Sequence, residues 1–429
     1  MTTTSLNPMI ADAGTLSKPA LVPRRVALVA LTLALAAVQF SIAIGQIFFG
    51  VSLVAWIVTL GVERRRPTAP PWMVPLLLYA VWTLVAAGFS PDPAVSFADC
   101  KQLVLLLLVP MTYDLVDEDS AMVLTTLVLT AAAVSALLGI GQYSILHYDN
   151  LGQRPRSTLG LYMTFSGLMM LALILALSRV LFMTHSRLWP ALVIPALSVV
   201  LALSLSRNAW VGAGCGVALL LMMRDWRLTA VLPVAAAVFL AAAPPTVLQR
   251  VYSMVNLQDP TVSDRFAMMR AGARIVEEHP VFGAGPNMVE RIYPQFRDAG
   301  AVEPAISHLH NVPLQIAAER GLPALALWIW FVAAVVAGAV ALYRAAPREG
   351  PLRFLSAAAI AGAAAMLAAG MTEHNFGDSE FQIVFLVLVT LPFAVARHRT
   401  ASNSIHRDQL TQGTVSRPSS AAVRSTELM

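Results

Sequence analysis

Long apolar runs separated by short polar breaks make up most of this chain. A helix of about 20 apolar residues crosses a bilayer, so each run of that length is a candidate transmembrane span. About twelve runs qualify by this measure, at roughly 24–42, 45–62, 71–89, 101–116, 120–144, 159–182, 188–205, 208–224, 227–243, 321–343, 354–372 and 379–396. The pattern predicts an all-α polytopic membrane protein of about 12 transmembrane helices.

The polar stretches between these runs divide the chain into five parts. We expect a disordered cytoplasmic N-terminus over 1–23, nine transmembrane helices over 24–243, and a large, partly helical loop over 244–320. The last three transmembrane helices then occupy 321–396, and a disordered cytoplasmic tail follows over 397–429. No small-residue cleavage site follows the first apolar run, so we interpret that run as a retained span.

Charge is scarce and unevenly placed, and this sets the expected orientation. Only 12% of the residues are charged, against 57% that are hydrophobic. Basic residues in short loops favour the cytoplasmic side. They lie on a single side if both termini are cytoplasmic: Arg24, Arg25, Arg64, Arg65, Arg66, Arg224, Arg227, Arg344, Arg348, Arg353, Arg397 and Arg399. The large loop is then extracytoplasmic.

The large loop contains a pattern typical of an amphipathic helix. In "TVSDRFAMMRAGARIVEEHP", apolar residues share one predicted face, which suits a membrane interface: Phe266, Met269, Ala273 and Val276. Ser263 and Asp264 are N-cap candidates, and Pro280 ends the helix. The "GAGP" that follows predicts a tight turn, and a second short helix is expected over about 288–296.

The segment "SHLHNVPLQIAAERG" places two histidines just before a predicted helix. Asn311 is a suitable N-cap and Gly321 a suitable helix end, so we expect a short helix over 312–320 that leads into the tenth span. A helix N-terminus favours a neutral imidazole, which can accept a proton near neutral pH. His308 and His310 are therefore candidate general bases, although ordinary interfacial histidines would give the same pattern. Two ligands are too few for a metal site.

Four arginines on the same predicted side could bind an anion. Arg207 is the one charged residue in a long apolar stretch, and a guanidinium matches phosphate oxygens in pairs. Arg265 lies early in a helix, where it opposes the helix dipole. Arg154 and Arg156 lie in the short loop "GQRPRSTLG". Each of the four could equally be a solvated or snorkelling surface residue.

Motifs for other chemistries are missing from the sequence. It contains no Gly-rich phosphate loop, no Ser-His-Asp signature and no Cys-x-x-Cys pair, and "GAGP" is too short for a dinucleotide fingerprint. Cys100 and Cys215 do not support a disulfide framework. We therefore expect no cofactor, no metal and no nucleic-acid partner.

Together, these motifs resemble the O-antigen ligase family, in a superfamily shared with O-antigen polymerases and some protein O-oligosaccharyltransferases. His310 and Asn311, followed by nine residues and Gly321, are similar to the family's His-Asn-x9-Gly-x-x-Gly pattern, with Ala324 in place of the second glycine. "EEHPVFGAGPNM" is similar to a further family segment. "LSRNAWVG", "SDRFAMMRAG" and "RPRSTLG" resemble segments whose arginines fall on Arg207, Arg265 and Arg156.

The resemblance implies transfer of O-antigen polysaccharide from undecaprenyl pyrophosphate to a sugar hydroxyl of lipid A-core. It implies a periplasmic site on the bacterial inner membrane, with membrane lipids around it and inverting chemistry that needs no metal. His310 would be the base, with His308 as the alternative or a supporting neighbour. The pyrophosphate would be held by Arg207, Arg265, Arg156 and Arg154.

Three other functions remain open at this point. A polymerase of the same superfamily would take a second lipid-linked glycan as its acceptor, and a protein O-oligosaccharyltransferase would take a protein. A secondary transporter of twelve spans is the alternative from another class. Such transporters are commonly built as two halves with polar residues at mid-membrane. Here the loop after the sixth span is the short "THSR", and the unusual polar residues gather at one interface.

Overall fold

The computed structural model describes residues 18–254, 256, 259–298 and 303–415. These residues form α-helices and short 3₁₀ turns, with no strand among them. The α-helices are α1 (Lys18–Ala37), α2 (Ile42–Glu63), α3 (Met73–Gly88), α4 (Pro93–Asp99), α5 (Leu108–Leu115), α6 (Glu118–Leu146), α7 (Tyr162–Phe182), α8 (Leu188–Leu203), α9 (Arg207–Arg224), α10 (Val231–Ala242), α11 (Pro245–Tyr252), α12 (Pro260–Glu278), α13 (Val289–Phe296), α14 (Val312–Ala345), α15 (Pro351–Gly370) and α16 (Ser379–Val415).

The predicted all-α polytopic class is confirmed. Within the described residues, seven helical segments are long and apolar enough to cross a membrane, namely α2, the continuous segment from α4 to α5, α6, α7, α14, α15 and the first part of α16. Each of the twelve predicted runs overlaps a helix, and α3, α8 and the helix ending in α10 are shorter apolar ones. The chain is a multi-pass membrane protein, while the count of twelve spans stays a prediction.

The helices at both ends extend past the predicted boundaries. α1 already begins at Lys18, and α16 continues to Val415, so neither 18–23 nor 397–415 is without structure. The remainder of the predicted disordered ends lies outside the described residues. The other predicted domain boundaries stay predictions.

Three helices lie at the centre of the bundle. More than two thirds of the apolar windows of α7, α15 and α16 are buried, against about a quarter for α2 and α14. α9 packs closely against them because it carries glycines. A Cβ at Gly212 would lie 2.4 Å from the Met170 sulfur and 2.8 Å from the Ala365 carbonyl oxygen. Small residues let helices in a membrane approach to this distance.

In the described part of the large loop, α12, α13 and the start of α14 share a small core of their own. α12 is the predicted amphipathic helix, but its N-cap is Asp259, which accepts from the Thr261 N–H, and not Ser263 or Asp264. α13 is the predicted second helix. The predicted apolar face of α12 is not the one buried in this core, because Phe266 is 50% exposed while the buried stripe is Met268, Ala271 and Ile275.

A break at Gly321 joins the loop to the tenth predicted span. The residues on both sides of it within α14 are helical, but Gly321 itself has φ 79° and ψ 171°, which confirms the predicted helix end. The break leaves carbonyl groups of α14 without hydrogen-bond partners inside the helix, and N–H groups of the "GAGP" turn donate to these carbonyls instead. Ala284 N–H donates to the Ala318 carbonyl (2.8 Å) and Gly285 N–H to the Glu319 carbonyl (2.9 Å). The loop is thereby fixed onto the start of α14.

Replacing Gly321 by alanine is expected to destabilise the protein by about 1–3 kcal/mol or more. The alanine Cβ would lie 1.9 Å from the Val281 carbonyl oxygen, at a φ that side chains rarely adopt. Thermal unfolding of the purified protein measures the effect. Gly141→Ala is the matched control, since Gly141 lies in α6 with no atom within 4 Å of its Cβ position. An equal loss of stability in both variants would contradict the expectation.

Candidate active site

A cluster of two histidines and one glutamate lies where α14 begins and α15 ends. His308 Nε2 is 3.1 Å and His310 Nδ1 is 3.0 Å from the same oxygen, Oε1 of Glu373. The other oxygen of Glu373 lies 3.6 Å from the Arg265 guanidinium, which also donates to the Thr372 carbonyl. Glu373 is only 3% exposed. The cluster is therefore a buried carboxylate shared by two imidazoles and one arginine.

The start of α14 holds the two histidines in place. Asn311 accepts from the Leu314 N–H (2.9 Å), which confirms it as the N-cap, and its amide donates to the Met371 carbonyl (2.9 Å). The Gln315 side chain accepts from the Leu309 N–H at 2.7 Å. His310 itself has φ 50°, a left-handed conformation that is costly for a side chain of this size. The capping bonds on both sides fix this strained residue.

The hydrogen bonds of the cluster set its charges. Burial opposes ionisation of Glu373, but hydrogen bonds from His308 and His310 outweigh burial and hold the pKa of the carboxyl well below its usual range. For His308, burial disfavours the charged ring, and the hydrogen bond with Glu373 more than compensates, so its pKa is raised above the ordinary value. Glu373 is therefore an anion that stabilises a neighbouring imidazolium.

The same contacts distinguish the two histidines, which the sequence left open. When His310 is neutral and donates from Nδ1 to Glu373, its Nε2 keeps a free lone pair and can accept a proton. Both nitrogens of His308 are engaged, because Nδ1 lies 2.8 Å from the Ser307 hydroxyl while Nε2 faces Glu373. A carboxylate that orients a histidine base is the arrangement of hydrolytic triads. The geometry favours His310 as the base and His308 as its support.

Two further titratable residues lie in the connection between α15 and α16. His374 is neutral, because burial and the neighbouring His308 and Arg320 lower its pKa to about 3. Burial and the charge of Glu373 raise the pKa of Asp378 to about 7. The Thr164 hydroxyl donates to Asp378 at 3.0 Å. Glu373 is thus the strong anion of this connection, and Asp378 changes its charge near neutral pH.

Asp378→Asn is expected to stabilise the protein at pH 8 and to change little at pH 4. The carboxyl titrates near its ordinary value of 3.8 in the unfolded chain and at about 7 in the folded protein. The folded state therefore holds a proton that the unfolded state has lost, and stability falls as pH rises between these two values. The asparagine side chain of the variant does not ionise, so this fall in stability with rising pH does not occur. The melting temperature of the variant should exceed that of wild type by at least about 2 °C at pH 8 and should match it at pH 4. An equal shift at both pH values would contradict this expectation.

Four arginines and His310 line one cavity of about 370 Å³ beside the cluster. They come from separate parts of the chain: Arg154 before α7, Arg207 at the start of α9, Arg250 in α11 and Arg265 in α12. Burial, with Arg207 and Arg154 nearby, lowers the pKa of Arg250 to about 10. Such mutual repulsion marks a site that an anion would stabilise.

Three of these arginines contact neutral groups, although two carboxylates, Asp264 and Glu303, also line the cavity. Arg207 donates to the Ser253 carbonyl (3.1 Å) and the Thr261 hydroxyl (2.7 Å), and Arg250 to the Leu205 carbonyl (3.2 Å). Arg154 donates to the Leu151 carbonyl (3.1 Å) and lies over the Tyr162 ring. Among the described residues, none of these three has a carboxylate within ion-pair distance, and Arg265 alone reaches Glu373. The cavity therefore combines three guanidinium groups without ion-pair partners in the described part of the chain and one imidazole at its edge.

The structure brings most of the predicted residues together and leaves one out. Arg154, Arg207, Arg265 and His310 line the cavity, and His308 lies behind His310. Arg156 does not line this cavity, so its predicted role in binding a pyrophosphate stays a prediction. Its backbone N–H donates to the Gln142 side chain (3.0 Å), Ser157 turns the chain with φ 50°, and its guanidinium donates to Gly160 (3.2 Å) outside the cavity.

Sequence reasoning missed Arg250 and Glu373 as site residues. Glu373 carried a weak signal, since it is an acidic residue in a short break between two apolar runs on the predicted extracytoplasmic side. No feature of the sequence distinguishes Arg250 from the other arginines of the loop.

The three residues of the cluster could also hold a metal ion. Ligand atoms of His308, His310 and Glu373 lie within 4.8 Å of one another, and three protein ligands suffice for a catalytic zinc. Two of these ligands, His308 and His310, are neighbours in the sequence, and the fold supplies Glu373 as a third. Hydrogen bonds to Glu373 explain the same geometry without an ion, so the predicted absence of a metal stays a prediction.

Fold and site together define a polytopic membrane protein with four arginines and a histidine around one cavity at one end of its helices. Residues 195–329 match the family model described as O-Antigen ligase, which confirms the resemblance to the O-antigen ligase family. The family is one of glycosyltransferase-like enzymes of O-antigen ligation or polymerisation. The matched segment contains Arg207, Arg250, Arg265 and both histidines, whereas Arg154 and Glu373 lie outside it. No curated protein matches this chain.

Proposed function

We propose that this protein transfers O-antigen polysaccharide from undecaprenyl pyrophosphate to a sugar hydroxyl of lipid A-core. One observation carries the proposal: four arginines from separate segments line the same cavity as His310. Guanidinium groups match the paired oxygens of a pyrophosphate and stay charged when partly buried. A base at the edge of the same cavity is placed to deprotonate an acceptor hydroxyl.

The proposed reaction needs no external energy source. His310 Nε2 accepts the proton of the acceptor hydroxyl, whose oxygen forms a bond to the anomeric carbon of the donor sugar. The bond from that carbon to the pyrophosphate oxygen breaks, and the arginines stabilise the charge that grows on the leaving group. Glu373 stabilises the imidazolium, which then releases its proton to water. Attack opposite the leaving group inverts the anomeric carbon.

The site is proposed to face the periplasm. α9 has Arg207 at the site and Arg224 at its other end, and Arg65 and Arg397 lie at that other end of the bundle, around the buried Asp114. Basic residues mark the cytoplasmic side of an inner-membrane protein. The arginine cavity would then open where lipid-linked glycans and lipid A-core meet.

Purified full-length protein in nanodiscs is expected to transfer glycan from undecaprenyl pyrophosphate to lipid A-core, at the same rate with excess EDTA. Arginines supply the charge stabilisation that a metal would otherwise give, so chelation should have no effect. Gel separation of the lipid A-core product measures the transfer.

Other results would assign other functions. Longer lipid-linked glycans with no product on lipid A-core would indicate a polymerase, and glycan on added protein an oligosaccharyltransferase. Movement of a lipid-linked substrate without transfer would indicate a transporter. Loss of transfer in EDTA, restored by a divalent metal, would assign a metal to the His308, His310 and Glu373 cluster.

A further inference from the structure

A second cavity, of about 230 Å³, lies beside the histidine cluster. It is lined by α3, the segment after α4, the start of α14 and the connection between α15 and α16. His308 and His374 face this cavity, whereas His310 faces the arginine cavity. Ser307 lines both. The histidine cluster therefore separates two cavities that meet at one residue.

The lining of the second cavity is polar, and it carries fewer cationic groups than the arginine cavity. Its one arginine, Arg320, is paired with Glu319 (2.7 Å) and Asp99 (3.4 Å), so its charge is compensated. The remaining polar groups include carboxylates, amides, hydroxyls and the imidazoles of His308 and His374. Aromatic rings lie among the carboxylates and amides: Asp378, Asn287, Gln315, Gln382, Tyr79 and Phe376. The second cavity has three carboxylates and one arginine, whereas the arginine cavity has four arginines and two carboxylates, Asp264 and Glu303. A pyrophosphate is therefore better stabilised in the arginine cavity.

Several buried polar atoms of this lining have no partner among the described residues. They are Oε1 of Gln382, Nδ1 of His374 and Nε of Arg320. Gln382 is only 7% exposed. A buried polar atom without a hydrogen bond costs about 1–3 kcal/mol, so a ligand that donates and accepts hydrogen bonds would be stabilised at this place.

We propose that the second cavity binds a sugar ring of the acceptor glycan, while the arginine cavity holds the donor pyrophosphate. Sugar hydroxyls donate to carboxylates and amide oxygens and accept from Arg320 and amide N–H groups, and the apolar face of a sugar packs on aromatic rings. This inference rests on the proposed function.

Binding measurements on each substrate alone test the assignment without any catalytic step. Full-length protein in nanodiscs is titrated separately with lipid A-core and with undecaprenyl-pyrophosphate-linked glycan. Gln382→Leu is expected to weaken lipid A-core binding about tenfold or more, the factor for losing one well-placed hydrogen bond, and to leave donor binding within about twofold. Gln39→Leu is the matched control, because Gln39 is also buried with an unpartnered amide but lies in an apolar cavity elsewhere.

Each outcome decides one question. Unchanged lipid A-core binding in Gln382→Leu, or an equal loss in Gln39→Leu, overturns the assignment. Weaker donor binding with normal lipid A-core binding would indicate that the cavity binds a sugar of the donor. That result also overturns the assignment. Weaker lipid A-core binding in a protein whose wild type transfers no glycan supports the cavity assignment while the proposed function fails.

Discussion

Replacing His310 by alanine is expected to lower kcat for glycan transfer by about 10²–10⁴-fold, the usual contribution of a general base. Binding of the lipid-linked donor should not change, because the arginines hold the pyrophosphate and His310 acts on the acceptor. The reason is geometric: Glu373 occupies Nδ1 of His310 at 3.0 Å and leaves Nε2 free toward the arginine cavity. Initial rates and donor affinity of the variant in nanodiscs measure the two quantities separately.

Three comparisons sharpen this expectation. His279→Ala should behave as wild type, because His279 follows α12 at the surface. Glu373→Gln should lose activity although it touches no substrate, since an amide holds the His310 tautomer less firmly and does not stabilise an imidazolium. His308→Ala should lose less than His310→Ala. A larger loss in His308→Ala would reverse the roles of the two histidines.

The helices were predictable because the bilayer leaves few alternatives. A spanning segment must satisfy its own backbone hydrogen bonds, so apolar runs of sufficient length become helices. Local signals were also sufficient at the start of α14, where Asn311 caps the helix and Gly321 breaks it as expected. Local signals were not sufficient at α12, because Asp259, Ser263 and Asp264 are all residue types that cap helices. The helix begins after Asp259, since Pro260 is favoured at the first helical position.

The site was predictable only in part, because its members meet through tertiary packing. His310 and Glu373 are 63 residues apart, and nothing in the sequence pairs them. Arg154 and Arg156 are separated by one proline, and no local rule distinguishes them. The difference arises from Gln142 of α6, which holds the backbone of Arg156 and turns its side chain away from the cavity.

Because its side chain lies outside the cavity, Arg156 is a matched control for a substitution of Arg207. Arg207→Ala is expected to lower kcat/KM for transfer by about 10²–10³-fold, as for loss of one group that stabilises charge on a leaving group. Arg207 is the clearest choice because it contacts Ser253 and Thr261, both neutral, whereas Arg265 also contacts Glu373. Loss of Arg265 would disturb the base as well as the pyrophosphate, so its effect could not be assigned to one role.

Arg207→Lys should recover only part of the activity, because an ammonium keeps the charge but not the paired geometry of the guanidinium. Arg156→Ala should stay within about twofold of wild type, although it removes the same kind of side chain from the same end of the helix bundle. Steady-state rates with varied donor concentration separate loss of binding from loss of turnover. Equal losses in Arg207→Ala and Arg156→Ala would mean that overall positive charge, and not this cavity, attracts the lipid pyrophosphate.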